Sequence, residues 1–75
     1  MLRLTLKINN DLPLLDVSIR RVSPDNPKKG EMCKYIVEDI HSPDTYEYLC
    51  FVECEFGSAN KLVIKVLKEL EKDVR

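Results

Sequence analysis

The chain has 75 residues, with twelve Lys or Arg against thirteen Asp or Glu and a formal net charge of −1. That length allows one small core and a single domain over 1–75, which excludes an active-site cleft between two lobes. With 44% hydrophobic and 33% charged residues, and no hydrophobic run longer than Tyr48 to Val52, the composition is that of a soluble globule rather than a disordered or membrane-spanning chain.

Leu2, Leu4, Leu6 and Ile8 alternate with Arg3, Thr5, Lys7 and Asn9, which predicts a first strand over about 2–9 with one buried face. Asn9 to Pro13 supplies turn residues, and Leu15, Val17 and Ile19 resume the alternation in a second strand over about 15–22. Placing Ile8 opposite Leu15 makes a hairpin in which Lys7 faces Asp16 and Thr5 faces Ser18. Ser23 to Gly30 holds two prolines and a glycine, so it reads as a loop.

A third strand over about 32–39 and a fourth over about 46–56 flank Ser42-Pro43-Asp44-Thr45, a sequence suited to a type I turn. Setting Ser42 opposite Thr45 gives paired residue numbers that sum to 87. Cys33, Tyr35 and Val37 then face Cys54, Val52 and Cys50 on one side, while Lys34 faces Glu53 and Ile36 faces Phe51 on the other. Gly57 to Asn60 ends the strand and opens a helix over about 59–73, with Ser58 or Asn60 as its N-cap. Val63, Val66, Leu67, Leu70 and Val74 form its apolar stripe, flanked by Leu62. The expected fold is α+β: a four-stranded antiparallel meander with one C-terminal amphipathic helix packed on one sheet face.

The near-neutral net charge conceals a division. Residues 1–30 carry six basic and three acidic groups, 31–57 one basic and seven acidic, and 58–75 five basic and three acidic. Lys61, Lys65, Lys68, Lys72 and Arg75 form a cationic ridge on the helix, and Arg20, Arg21, Lys28 and Lys29 cluster around the proline-rich loop. Such groups suit phosphates or an acidic partner; equally, lysines at a helix C-terminus serve the macrodipole and solubility. The acidic middle segment and the lack of aromatic residues among the lysines weigh against a nucleic-acid module.

Three cysteines and one histidine invite a zinc reading, but Cys50 and Cys54 sit four residues apart in one strand, roughly 13 Å from each other at 3.3 Å per residue. No metal and no cofactor are expected. Cys33 and Cys54, as direct cross-strand neighbours, read as core cysteines or as a thiol pair open to oxidation. An odd cysteine count and an N-terminus without a signal-type apolar block lead to the expectation of a reducing, cytoplasmic setting. His41 near Asp39 and Asp44 lacks a nucleophile or a phosphate-binding glycine loop beside it, so no enzyme activity is expected.

Once a helix covers one face, Ile36, Leu49 and Phe51 remain as an apolar patch on the other, rimmed by Lys34, Glu38 and Glu53. Glu47 and Glu55 are expected to project from the same side. The functional expectation is therefore a non-catalytic protein-interaction or regulatory module, self-associating as a homodimer through that face or binding a protein partner. The alternative is a nucleic-acid-binding module using Lys61, Lys65, Lys68 and Lys72 with Lys28 and Lys29.

Overall fold

A computed structural model describes residues 2–8, 10–11, 13–42 and 45–73. It contains β1 (Leu2–Leu6), β2 (Leu15–Ser23), β3 (Met32–Ser42), β4 (Thr45–Glu55) and α1 (Ala59–Asp73). The strands form one antiparallel sheet in the order β1-β2-β3-β4. The helix returns along β4. The α+β meander with a C-terminal helix is thus the observed architecture, with helix limits as the sequence predicts.

Two strand details differ from expectation. In the first hairpin Leu6, not Ile8, stands opposite Leu15, and Thr5 faces Asp16. The slip is by two residues, so every apolar side chain keeps its face and the alternation alone does not resolve the two registers. What the observed register gains is a hydrogen bond from Thr5 Oγ1 to Asp16 Oδ1 at 2.6 Å. β1 consequently stops at Leu6, and β3 continues beyond the expected end, to Ser42.

In the second hairpin the pairs from Cys33↔Cys54 to Val37↔Cys50 sum to 87, as does Ser42↔Thr45. Between them Glu38↔Tyr48, Asp39↔Glu47 and Ile40↔Tyr46 are displaced by one, leaving Leu49 without a partner. Leu49 is a β-bulge, an extra residue on one strand that reverses the facing of what lies beyond it.

The core lies between the sheet and α1. Val17, Ile19, Cys33, Tyr35, Val37, Cys50, Val52 and Cys54 are buried from the sheet, with Leu6 at its edge; the helix contributes Leu62, Val66 and Leu70. The helical trio at every fourth position marks the buried stripe, with Val63 and Leu67 half-buried beside it. The stripe is centred nearer Leu62 than the sequence suggests, and Val74 lies outside the described residues. Gly57, at φ +97°, turns the chain from β4 into the helix in a conformation that side-chain-bearing residues avoid. The Ser58 carbonyl then accepts from Leu62 N–H at 3.2 Å, which marks Ser58 as the capping position.

Leu70 is 4% exposed and Ile64 52%, so equivalent truncations should separate sharply. Leu70→Ala is expected to cost about 2–4 kcal/mol in urea unfolding, and Ile64→Ala to stay within about 0.5 kcal/mol of the parent.

Candidate interaction surface

The helix occupies the face of Cys33, Tyr35 and Val37, and leaves the opposite face of the sheet bare. On β3 that face carries Met32, Lys34, Ile36, Glu38 and Ile40 by alternation. On β4 the bulge decides the composition. Phe51, Glu53 and Glu55 project as the sequence predicts, but beyond Leu49 it is Tyr48 and Tyr46 that turn outward. Leu49 itself is half-buried and packs against the core, which corrects its expected place in the open patch. Glu47 stands opposite Asp39, on the helix side of the sheet and away from Phe51. The open patch is therefore Ile36, Phe51, Tyr48 and Tyr46, with Phe51 42% and Tyr48 55% exposed.

The aromatic groups are mutually placed. The Tyr48 and Phe51 ring centroids lie 5.2 Å apart at an interplanar angle of 52°, a tilted arrangement that aromatic quadrupoles favour. Lys34 Nζ sits 4.4 Å from the Phe51 ring centroid, a cation–π contact. Toward β1 the same face becomes polar: Arg20 Nε pairs with Glu38 Oε1 at 3.2 Å, and Arg3 Nη2 donates to Tyr46 Oη at 2.8 Å. Ser18 lies on this side between β1 and β3, 1% exposed, and its Oγ has no hydrogen-bond partner among the described residues.

The cationic groups fall in two places. Lys61, Lys65, Lys68 and Lys72 are all exposed and run beside the outer edge of β4. Lys61 Nζ is 3.6 Å from Glu55 Oε2, Lys65 Nζ donates to the Glu53 carbonyl at 2.8 Å, and Lys72 Nζ is 3.2 Å from Glu69 Oε1. Lys68 makes no ion pair among the described residues, and Arg75 lies outside them. Lys28 and Lys29 are exposed on the loop, which is pinned at both ends. Arg21 donates to the Pro24 and Asp25 carbonyls at 3.0 and 3.2 Å and stacks 5.4 Å from the Phe56 ring centroid. Gly30 and Glu31 bond the main chain of Phe56.

Cys33, Cys50 and Cys54 are buried on the helix side and are not joined in disulfides, and Cys33 stands directly opposite Cys54 as the sequence predicts. Tyr35 lies among them. Its phenol is pushed above its ordinary value, chiefly by desolvation, with Cys33 and Cys54 adding to the shift and Arg21 opposing it. No group of three or more His, Cys, Asp or Glu suited to a metal ion occurs among the described residues, and the His41 side chain lies outside them. No helix among the described residues is long and apolar enough to cross a membrane.

Tyr46, Tyr48 and Arg3 are the surface residues that sequence reasoning missed, and Arg20, expected with the basic loop, stands on the open face beside Glu38 instead. The Tyr46-x-Tyr48 spacing put both rings on one face, but an unbroken strand assigned them to the helix side. Compared with protein families, with curated proteins and with solved structures, the chain finds no match.

Two measurements follow. A phenol whose pKa is raised by folding contributes stability that is present below tyrosine's ordinary value near 10.0 and is lost as pH climbs through the higher folded value. Alkaline unfolding should therefore show a decline above about pH 10 that is shallower in Tyr35→Phe. Ser18→Ala removes an unsatisfied buried hydroxyl and should leave stability unchanged or raise it by up to about 1 kcal/mol in thermal unfolding.

Proposed function

We propose that this chain is a small non-catalytic interaction module that associates with a second copy of itself through the open sheet face. The observation that carries this reading is the aromatic group of Phe51, Tyr48 and Tyr46 beside Ile36, exposed together where the helix does not reach. Aromatic residues clustered on a face with a charged rim are the residue types that dominate protein contacts.

A second copy is favoured as the occupant by the mixture of charge. Arg3, Arg20 and Lys34 share the face with Asp16, Glu38, Glu53 and Glu55, three cations against four carboxylates, so opposite charges are available to pair when the surface meets its own image. The Cα envelope of 38 × 26 × 16 Å is a flat slab whose broad side has room for the roughly 800 Å² per partner that stable complexes bury. A domain this small gains stability by covering that side. Three buried cysteines not joined in disulfides suit a reducing, cytoplasmic setting. The nucleic-acid alternative draws less support, because Glu53, Glu55 and Glu69 lie among the helix lysines and the open aromatic face is not basic overall.

Sedimentation over a wide concentration range tests the reading. The wild-type mass should rise with concentration toward twice that of the monomer, and Phe51→Glu, with an unchanged circular dichroism spectrum, should weaken association by about 2 kcal/mol or more. A wild-type chain that stays monomeric at every concentration overturns it.

A further inference from the structure

β4 is an edge strand of eleven residues, Thr45–Glu55, and long exposed edges are templates for pairing with another chain. Its main-chain groups can be sorted. Phe56 donates its N–H to the Glu31 carbonyl at 2.8 Å and accepts from Gly30 N–H at 3.0 Å, so Phe56 turns its main chain toward the β3 side. The Glu53 carbonyl, three residues earlier and of opposite parity, accepts instead from Lys65 Nζ at 2.8 Å. In an antiparallel ladder alternate residues share a direction, so Phe51, Glu53 and Glu55 present N–H and C=O outward. Lys65 thus stands where the N–H of a fifth strand would.

A groove of about 330 Å³ follows this edge, lined by Val52, Glu53, Lys65, Lys68, Glu69 and Lys72. Its floor is apolar at Val52 and its helix-side wall is mainly cationic. We propose that the outer edge of β4 is a docking strip for an extended acidic segment of another protein, which adds to the sheet as a fifth strand beside the lysine row. Alternation then sets the partner's pattern. Every second side chain turns toward the helix side and meets Lys65, Lys68 and Lys72, so these are acidic; the others lie beside Phe51 and are apolar.

The lysine row also selects against the other occupants. Two copies of this chain joined antiparallel at β4 are related by a twofold axis normal to the sheet, which places both helices on the same side with their lysine rows facing. Like charges across that seam oppose self-pairing, a common protection for sheet edges. A nucleic acid satisfies the lysines but offers no peptide groups to the edge, and Glu53, Glu55 and Glu69 dilute the field it would follow. This strip adjoins the aromatic face at Phe51, but its lysine row and its outward main-chain groups lie beyond that face, so peptide binding at the edge and self-association through the face are separate measurements.

The probe is a fluorescein-labelled ten-residue peptide alternating Glu and Val, titrated with the wild-type chain at low salt and read by anisotropy. Binding is expected, with amide exchange slowed at Phe51, Glu53 and Glu55. The double variant Lys65→Glu with Lys68→Glu should weaken binding by roughly ten-fold or more, and Lys65→Gln with Lys68→Gln by less, each with the wild-type circular dichroism spectrum. A peptide of the same sequence N-methylated at the residues that face β4 should lose at least as much, because it keeps the charge and lacks the main-chain donors. The proposal fails if the N-methylated peptide or a single-stranded oligo-dT binds as tightly as the parent peptide, if the three amides gain no protection, or if the edge is already protected in a β4-to-β4 dimer.

Discussion

Leu49 is one residue more than the β3–β4 hairpin can pair, and the character of the open face depends on where that residue goes. It packs against the core, where its side chain leaves water. The consequence falls on its neighbours: Tyr48 and Tyr46, which an unbroken strand would bury beneath the helix, are turned to solvent. Tyr48 meets Phe51 across three residues of sequence, a spacing that in regular β-structure places side chains on opposite faces. The aromatic cluster is therefore a product of the bulge. Without it the open face would carry Leu49 and Glu47 in place of two tyrosines.

The second constraint is that one helix is asked to cover a four-stranded sheet. Leu62, Val66 and Leu70 reach the core, but the helix lies along β4, and Leu2, Leu4, Ile8 and Leu15 toward the first hairpin are only half-buried. Small buried cysteines and valines dominate the sheet beneath it. Tyr35 is the one aromatic ring in that buried set, and its phenol is desolvated beside Cys33. Arg21 closes the same end of the sheet by stacking on Phe56, while its donors hold the proline-rich loop. The basic loop is thus part of the packing, tied at Arg21 and at Gly30, with Lys28 and Lys29 displayed from a fixed base.

Most of this was legible in the sequence wherever periodicity alone decides. The strict alternation of 2–8 and 15–19, the Ser42–Thr45 pairing, the cross-strand set from Cys33 to Cys54 and the limits of the helix follow from the sequence pattern, while the turn residues Pro43 and Asp44 lie outside the described residues. The first-hairpin register did not, because a slip of two residues leaves both faces intact. Lys7–Asp16 is as acceptable a cross-strand pair as Thr5–Asp16 on charge and polarity. The bulge was hidden for a different reason. Tyr, Leu, Cys and Phe in succession from 48 to 51 carry no polar residue that would mark which side is wet, so an inserted residue leaves no trace in the pattern. Ile36 and Phe51 were found because they precede the bulge in register from the turn-distal end, and Leu49 was misplaced because it is the bulge.

The charge division has a structural meaning that segment sums do not convey. The helix lysines do not simply face solvent opposite the apolar stripe; they lean over the outer edge of β4, and two of them bond to its Glu53 carbonyl and Glu55 carboxylate. A lysine on an edge carbonyl supplies a donor where the sheet ends, yet it does so through a flexible side chain that an incoming N–H can replace. Replacement leaves the ammonium beside the new strand, where it is best neutralised by an acidic side chain on that strand. The same row that keeps two such edges apart therefore defines the partner it admits, and the chain presents two surfaces of different kinds: an aromatic face of mixed charge and a cationic edge with open main-chain groups.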